Sequence, residues 1–541
     1  MIYTYWKTVG SWISAATPPA ASERRVQYQQ VDRTTSRAMT AASPPLLSPV
    51  QTSPIPSPIS RIPDDLLHEI FHLVAAEAFF TSDRPSRLGS IACVAISHVC
   101  RYWRELALAS PLLWSYIQLT PTLSRYSTVR ELLGRSGDAP LLVRMQGPRS
   151  VWESAEGLVQ MARILAVHSH RFVEFYATSF LPEPMRDVIS QFSCPAPHLK
   201  SLSIHPGSFV WLPAPFLGWM PMVKHVSATQ MAMPWLPYKD MVELELSDQR
   251  APLLEDLLWT LRHSPSLKVL SVFLSGALVP RSAVEVDETS VVILPNLQRL
   301  SLGSLHSISD TLTLLSHIAF TVTTEVNLRF HGRYRSPLDL GQFCPSLQHI
   351  AHRVTQCFVQ FLNTHQSRSA VLKSDDGHMA LEWQWREDED DDGRLDSVAL
   401  AAIPFPAIKS LILQVYNFDA RREEWYGILC RLSEVTYLEL DFRLVNAATI
   451  VAFFHSLSRC PNDEETVCPK LEHLVILRAG SASNPVWMAL KVALSLRVSL
   501  EAPRLKMLEV MVEEKHFSDV EDTLSSCSIR TNSRTPLSQE G

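Results

Sequence analysis

A short motif recurs through the C-terminal two thirds of the chain: proline, one residue, then two Leu or Ile positions separated by two residues. Weaker copies without the proline stand between the others, such as "MVELELS" and "SEVTYLELDF". The first apolar residues of successive copies are about 18 to 30 residues apart, and about 27 to 36 apart beyond residue 408. The copies with proline are "PHLKSLSI" at 197, "PSLKVLSV" at 265, "PNLQRLSL" at 295, "PSLQHIAH" at 345, "PAIKSLIL" at 406, "PKLEHLVI" at 469 and "PRLKMLEV" at 503.

Several stretches between the copies have the apolar spacing of amphipathic helices. They are "LLEDLLWTLRHS", "ISDTLTLLSHIAF", "WYGILCRLS" and "TIVAFFHSLSRC". A short strand followed by a helix at this period is typical of a leucine-rich-repeat solenoid, in which stacked units bury a continuous core. The eleven copies therefore predict an irregular leucine-rich-repeat-like α/β solenoid over residues 191–515. The asparagine usual in such repeats is missing, which leaves the curvature open. An irregular α/β domain is the alternative.

Side chains alternate between the two faces of a strand, so every second residue of each copy is predicted to face away from the core. These positions are mixed in charge and include aromatic residues, which favours a protein or peptide ligand over nucleic acid. An ordinary solvated sheet face is the alternative for each single residue. The predicted target-binding residues are Arg299, Arg329, Arg353, Tyr437, Glu439 and Asp441.

An acidic segment interrupts the repeats. The run from Glu387 to Asp392 is too acidic to pack, so we predict a loop insertion near residues 375–397. A basic partner or a weakly held divalent cation is conceivable there. A solvated loop is the simpler interpretation, because consecutive acidic residues lack the spacing and the glycine turn of an EF-hand.

The N-terminal residues have a different composition. Residues 1–58 are rich in Ser, Thr, Pro, Ala and Gln, and four Ser-Pro steps occur at Ser43, Ser48, Ser53 and Ser57. Such a segment buries too little apolar surface to offset the loss of backbone entropy on folding, so we predict a disordered tail. It is either a site of proline-directed phosphorylation or a plain tail. Residues 516–541 are predicted to form a second disordered tail.

Residues 61 to 119 predict short helices. "RIPDDLLHEIFHLVAAEAF" spaces its apolar residues three and four apart, with Pro63 and two aspartates suited to a helix N-terminus. A second amphipathic helix follows from Ala92 to Ala107 and stops at Ser110-Pro111. About 60 residues cannot hide this much apolar surface alone.

"IPDDLLHEIF" and, after a longer spacer, "ISHVCRYWRELALASPLLWSYIQL" resemble the two halves of an F-box, specifically the F-box-like form of mushroom-forming fungi. Ile62 stands for the usual Leu and Asp65 for the usual Glu. The resemblance covers residues 59–120. It implies a small helical domain that binds a Skp-type adaptor of a cullin ligase.

The resemblance also implies which residues contact the adaptor. From the first half these are Ile62, Pro63, Leu66 and Ile70, and from the second half Val99, Cys100 and Trp103. The alternative is that such residues only fill an internal helical core. That core interpretation is the favoured one for Leu67, Phe71, Leu106 and Trp114.

No catalytic or metal-binding motif is found in the sequence. There is no P-loop, HExxH, zinc-finger spacing or nucleophile elbow, and only 17 glycines occur in 541 residues. We therefore predict no enzyme activity, no cofactor and no metal. The net charge of −6 gives no general reason to bind nucleic acid or an anionic membrane. Nine dispersed cysteines and no recognisable signal peptide favour the cytosol or the nucleus.

These observations predict an α+β multidomain chain. The F-box-like domain at 59–120 is followed by a helical linker at 121–190 and then the repeats. The predicted function is that of a substrate-recognition subunit of an SCF-type (cullin–RING) E3 ubiquitin ligase, in which the repeats bind an unknown target protein. The partners are the adaptor, the cullin scaffold and the target. The alternative is a non-catalytic repeat scaffold that acts without ubiquitin transfer.

Overall fold

The computed structural model describes most of the chain from residue 62 onward. The described ranges are 62–80, 92–120, 126–147, 156–178, 180–236, 238–249, 253–275, 291–304, 308–331, 344–363, 368–385, 407–458, 466–479, 484–500, 505–511 and 531–533. The predicted tails at 1–58 and 516–541 lie outside these ranges apart from 531–533, and so does the acidic run at 387–392.

The N-terminal part of the described chain is helical. The helix predicted from Ala92 to Ala107 is in fact two helices, because Cys100 adopts an extended backbone conformation and its Sγ accepts a hydrogen bond from the Trp103 amide at 3.4 Å. A cysteine side chain thus caps the second of them. The elements are α1 (Asp64–Phe80), α2 (Ala92–Ser97), α3 (Arg101–Leu108) and a 3₁₀ turn (Pro111–Trp114).

A small apolar core holds these helices together. Leu67, Phe71, Leu106 and Trp114 are all buried in it, as predicted. The Trp114 indole N–H donates to the Ala107 carbonyl at 2.8 Å, which ties the 3₁₀ turn to the end of α3. This core is separate from the much larger one that lies under the sheet.

After the helical region, most strands of the described chain form one large, open sheet. Neighbouring strands are parallel and follow one another in chain order, except at one inserted hairpin. The first strands are β1 (Tyr116–Leu119), β2 (Leu141–Gln146), β3 (Phe172–Thr178), β4 (Ser201–His205), β6 (His225–Thr229), β8 (Glu243–Gln249), β9 (Val269–Leu274), β11 (Arg299–Ser304) and β13 (Glu325–His331). The later ones are β14 (Gln356–Asn363), β15 (Arg368–Ser374), β16 (Met379–Trp385), β17 (Ser410–Tyr416), β18 (Tyr437–Arg443), β19 (His473–Ala479), β20 (Met507–Val510) and β21 (Thr531–Ser533).

Helices occupy several of the connections between the strands. Their buried residues join the core beneath the sheet, for example Leu257 and Phe453. Two pairs of very short strands also occur, β5 (Val210–Trp211) with β7 (Met231–Ala232) and β10 (Val292–Leu294) with β12 (Ile318–Phe320). The helices are α4 (Tyr126–Ser136), α5 (Glu156–Ala166), α6 (Pro182–Ser190), α7 (Leu254–Arg262), α8 (Ile308–Ser316), α9 (Pro345–Ala351), α10 (Arg422–Leu429), α11 (Ala447–Ser458) and α12 (Asn484–Ser499).

The prediction of a purely helical linker at 121–190 is wrong. This segment contributes β2 and β3 to the large sheet, and β1 from the end of the F-box-like region pairs with β2 in parallel. These two strands were not predicted, because "LLVRMQ" and "FVEFYAT" alternate apolar and other residues but lack the Pro-x-Leu motif. Among the described residues the sheet therefore begins at Tyr116, 75 residues before the predicted start at 191 (191 − 116).

The motif copy at 345 was predicted to form a strand and forms α9 instead. Leu347 and Ile350 are buried on one side of this helix, and Pro345 occupies its first turn, where no N–H is needed. The adjacent strand positions belong to an inserted hairpin: β14 and β15 are antiparallel, as are β15 and β16, while β13 pairs with β16 and β14 with β17. Residues 379–385 of the predicted acidic loop are thus a strand, β16.

Alternate residues of the sheet differ in burial. In β18 the side chains of Leu438, Leu440 and Phe442 point into the core, and the residues between them point to the opposite side. We call that opposite side of the sheet, away from the helices, the open face. Ten of the eleven predicted copies become strands, and their apolar positions supply the core as expected.

Candidate functional site

The helical region from α1 to the 3₁₀ turn exposes an unusual number of large apolar side chains. Leu66 of α1 is 57% exposed, and Val99, which lies between α2 and α3, is 60% exposed. We call this group the apolar face of the helical region. It consists of Leu66, Ile70, Val74, Val99, Leu108 and Leu112.

Helix geometry explains why α1 contributes three of these residues. Leu66, Ile70 and Val74 are four residues apart, so they form one stripe along the helix. Leu67 and Phe71 lie one position further on and point into the small core. The helix therefore carries apolar residues on two sides, and the described chain covers only one of them.

The residues predicted to contact an adaptor are placed in two layers. Pro63, Leu66, Ile70, Val99 and Cys100 are exposed.

Two further predicted residues lie beneath that exposed layer. Ile62 and Trp103 are partly buried and pack against the small core. The Trp103 ring lies 4.8 Å from that of Phe71. Its indole N–H is buried and finds no acceptor among the described residues. Trp103 therefore supports the face from below.

A hydrogen bond joins the beginnings of α1 and α3. The Tyr102 hydroxyl donates to the Asp64 carboxylate, and this interaction raises the pKa of Tyr102. It holds the N-terminal ends of the two helices together, so Leu66 and Val99 belong to the same end of the region. Tyr102 itself is exposed.

The sequence analysis missed four exposed apolar residues of this region: Val74, Phe80, Leu108 and Leu112. For Val74 a signal was present, since it continues the four-residue spacing of Leu66 and Ile70. The exposure of Phe80, Leu108 and Leu112 depends on which side of a short helix or turn meets the core, and periodicity alone does not give that.

The helical region is fixed to the start of the sheet by aromatic and cationic contacts. The Arg135 guanidinium of α4 lies 4.3 Å from the centre of the Trp114 ring. Phe79 near the end of α1 is fully buried, with its ring 5.7 Å from that of Tyr116 in β1. Arg144 of β2 lies over the same Phe79 ring at 5.2 Å. The α1 helix thus connects the apolar face with the open face of the first strands.

Five of the six predicted target-binding residues lie on strands with their side chains on the open face. Arg299 begins β11, and Arg329 of β13 forms an ion pair with Glu382 of β16 at 3.2 Å. Tyr437 and Glu439 of β18 are hydrogen-bonded to each other at 2.8 Å. Strand pairing puts five strand intervals between β13 and β18, about 24 Å at 4.8 Å per interval. The structure therefore brings these residues onto one face but in two separate groups.

Asp441 differs from its prediction as a solvent-facing residue. Its side chain is only 2% exposed, because Arg443 and Arg478 cover it with ion pairs at 2.7 Å and 3.8 Å. A register shift between β18 and β19 beside Leu440 and Asp441 brings Arg478 opposite the carboxylate. The exposed groups at this position are the two guanidiniums, which the sequence analysis did not select.

Arg353 is not on a strand. It follows α9 in a turn and is exposed, so the prediction that it lies on a sheet face is wrong. "PSLQHIAH" was predicted to be a strand that continues to Arg353. Because this stretch is a helix, Arg353 follows its end and has no strand position.

Within the described ranges, no three His, Cys, Asp or Glu side chains are grouped in a way that could hold a metal ion. None of the helices among those ranges is long and apolar enough to cross a membrane.

The helical region matches a known protein family. Residues 59–120 match the family described as F-box-like, and this range contains the apolar face and the helices beneath it. No curated protein matches the chain. The chain therefore carries an F-box-like domain. F-box domains bind Skp-type adaptors, and F-box proteins are commonly non-catalytic substrate adaptors of SCF complexes.

Proposed function

We propose that this chain is a substrate-recognition subunit of an SCF-type E3 ubiquitin ligase. The apolar face of the helical region carries the proposal, because it is the surface on which a Skp-type adaptor would be seated. Leu66 and Val99 are more than half exposed in a domain that matches F-box-like proteins. Burying a fully exposed side chain of this kind contributes about 1.5–3 kcal/mol, and these six side chains are 41–60% exposed, so each contributes about half of that when an adaptor covers it.

The predicted contact residues fit this role. Ile62 and Trp103 pack against the small core and hold the exposed residues in place, while Pro63, Leu66, Ile70, Val99 and Cys100 form the contact layer. Phe79 joins α1 to the sheet, so the adaptor and the sheet would have a fixed relative orientation. Fixed orientation favours ubiquitin transfer, because it raises the effective concentration of the target lysine near the charged E2 enzyme.

We further propose that the sheet is a leucine-rich-repeat-like solenoid whose open face holds a target protein. The recurring motif and the succession of parallel strands support this interpretation. On β13 and β18, Arg329, Tyr437 and Glu439 are the residues for target contact, together with Arg299 of β11. Asp441 would act through Arg443 and Arg478, which it holds in place.

The remaining parts of the proposal follow from this role. The chain itself would catalyse no reaction, and it would act in the cytosol or the nucleus together with the cullin scaffold, without nucleic acid or membrane. The Ser110-Pro111 step followed by Trp114 supports the fungal form of the F-box-like domain.

Adaptor capture tests the proposal. The full-length chain and a Leu66→Asp/Val99→Asp variant are each co-expressed with a Skp-type adaptor and a cullin, and co-purification is measured. We expect the wild type to retain both proteins and the variant to lose them, because a buried unpaired carboxylate costs several kcal/mol. Val167→Asp is the matched control, since Val167 is 71% exposed and lies outside residues 59–120.

Two outcomes would contradict the proposal. If the wild type never binds the adaptor, the ligase role fails. If it binds the adaptor but no cellular protein becomes longer-lived in the variant, the chain is instead a repeat scaffold that acts without ubiquitin transfer.

A further inference from the structure

A row of lysines lies along the edge of the sheet that is formed by the N-terminal ends of its strands. Lys200, Lys224 and Lys268 each stand directly before a strand and occupy the same hydrogen-bonding position. The Lys224 amide donates to the Lys200 carbonyl at 2.8 Å, the Val242 amide to the Lys224 carbonyl at 2.8 Å, and the Lys268 amide to the Val242 carbonyl at 2.8 Å. All three side chains are exposed. Three strand intervals separate the first from the last, about 14 Å.

Exposed apolar residues accompany this row. The connection that leads into Lys224 contains Trp219 and Met222, which are 54% and 45% exposed. The Trp219 carbonyl accepts a hydrogen bond from the Ala196 amide at 3.2 Å, which fixes the connection beside the preceding one. Before it the backbone turns sharply, with Gly218 at a φ of 71°.

A groove opens beside Trp219. It has a volume of about 100 Å³, and its walls include Met220, Leu236, Tyr238 and Lys239. A cavity of about 150 Å³ holds a benzene molecule, so this groove has room for one aliphatic side chain. Lys239 is exposed and puts a fourth cation at the wall of the groove. We call Lys200, Lys224, Lys239, Lys268, Trp219 and Met222 the basic edge patch.

The charges of the basic edge patch are not neutralised within the described chain. The ion pairs among the described residues include none between these four lysines and a carboxylate, and the only acidic neighbour in sequence is Asp240, directly after Lys239. At the same edge of the later strands, by contrast, Lys470 pairs with Glu434 at 2.5 Å and Lys506 with Glu472 at 2.7 Å. The difference leaves a local positive surplus on a chain whose net charge is −6.

We propose that the basic edge patch binds an acidic segment of a partner protein. Carboxylates of that segment pair with the lysine row, and one of its aliphatic side chains enters the groove beside Trp219. The groove beside Trp219 is concave and has room for a single side chain, which favours a polypeptide as the ligand. None of these residues belongs to residues 59–120, so the inference is independent of the adaptor contact proposed above.

Fluorescence anisotropy with a synthetic peptide tests this proposal. The probe is a fluorescein-labelled peptide with one leucine between flanking Asp and Glu residues, titrated with the full-length chain at low and at high salt. We expect saturable binding that weakens with salt. Lys224→Glu/Lys239→Glu should weaken it at least about tenfold, because two attractive contacts become repulsive.

Matched variants separate the two parts of the site. Lys409→Glu is the control, since Lys409 holds the equivalent position before β17 without an exposed tryptophan beside it, and it should leave peptide affinity unchanged. Replacing the peptide leucine by serine should weaken binding to the wild type by about tenfold and binding to Trp219→Ala much less. Equal melting temperatures of all variants and unchanged adaptor capture exclude misfolding as the cause.

Several outcomes would overturn the proposal. Equal losses for Lys409→Glu and the double variant would show unspecific charge attraction. Binding of anionic phospholipid vesicles, but not of the peptide, through the same lysines would assign the patch to a membrane. A higher peptide affinity after neutralisation of Glu387 to Asp392 would show that this chain's own acidic run occupies the patch.

Discussion

Helices α1 and α11 are both strongly apolar, yet their surroundings differ. The α11 helix lies between α10 and α12, and most of its side chains are buried, including Phe453 and Phe454. The α1 helix is covered on one side by the small core and at its end by the sheet, while Leu66, Ile70 and Val74 stay exposed. Two strongly apolar helices thus differ in exposure because one has a helix on each side and the other does not.

Neighbouring helices of the same chain account for the burial of α11. In the sheet region α10, α11 and α12 pack side by side, and only α12 keeps an exposed apolar stripe, formed by Met488, Val492 and Leu496. In the helical region, no described unit precedes α1, so its second apolar side is available for an adaptor. The hydrophobic effect buries α11 within the chain, and under the proposed function it would also drive the contact between α1 and the adaptor.

The largest expected effect is a difference in the free energy of unfolding between substitutions in α11 and in α1. Phe453→Ala in α11 should lower the free energy of unfolding by about 3–5 kcal/mol, because the ring is fully buried against Trp425 and Phe442. Ile70→Ala in α1 should change it by less than about 1 kcal/mol in the chain alone. Urea unfolding of both variants measures this. Equal losses would mean that Ile70 already has a partner within the chain.

A second variant tests what holds α12 against the segment that leads into β19. Arg497 of α12 is buried and donates to the carbonyls of Val467 at 2.5 Å and Cys468 at 2.9 Å. Arg497→Met should lower the free energy of unfolding by about 1–3 kcal/mol, since these buried carbonyls lose their donor. Adaptor capture should not change, because α1 is not involved. A loss of adaptor binding in this variant would contradict the separation of the two regions.

A third variant tests the packing of the open face. Gly303 leaves room for the Phe273 ring, over which the Arg329 guanidinium lies at 5.1 Å, and a Cβ at position 303 would meet that ring at 2.7 Å. Gly303→Val should therefore cost about 1–3 kcal/mol of unfolding free energy. Gly134→Ala in α4 is the control, with no atom within 4 Å of an added Cβ. Equal stability of Gly303→Val and the wild type would contradict this packing.

The smallest expected effect concerns pH. Burial of His72 on α1 lowers its pKa below 6.5, and Glu69 opposes this in part. The unfolded chain then binds more protons than the folded one near pH 6.5, so the contribution of His72 to stability is lost as the pH falls through and below that value. His72→Gln should flatten the fall of the urea midpoint on acidification. A steeper fall would contradict burial of His72 beside Tyr116.

The sequence predicted those elements whose pattern is local. The N-terminal pattern predicted α1 and the end of a helix before Pro111, and the Pro-x-Leu motif predicted most later strands, because alternation in a strand follows directly from chain geometry. The early strands β1 to β3 lack the motif and were missed. The α9 helix was mistaken for a strand, since Leu347 and Ile350 satisfy both periods over so short a stretch.

Site residues were harder to predict, because exposure depends on tertiary contacts. Leu66 and Val99 were predicted as adaptor contacts and are exposed in the structure, whereas Asp441 was predicted to face solvent and is covered by two arginines. A register shift between two strands has no local signature. The basic edge patch was missed for the same reason, since Lys200, Lys224 and Lys268 become neighbours only in the sheet.

Thiol labelling tests most directly whether a second protein covers the apolar face. Cys100 lies at this face and is exposed, while Cys194 and Cys430 are exposed outside it. The native chain is treated with a thiol reagent with and without a Skp-type adaptor, and labelling is mapped by mass spectrometry. We expect the adaptor to protect Cys100 and to leave Cys194 and Cys430 reactive. Equal labelling of Cys100 in both samples would contradict the account.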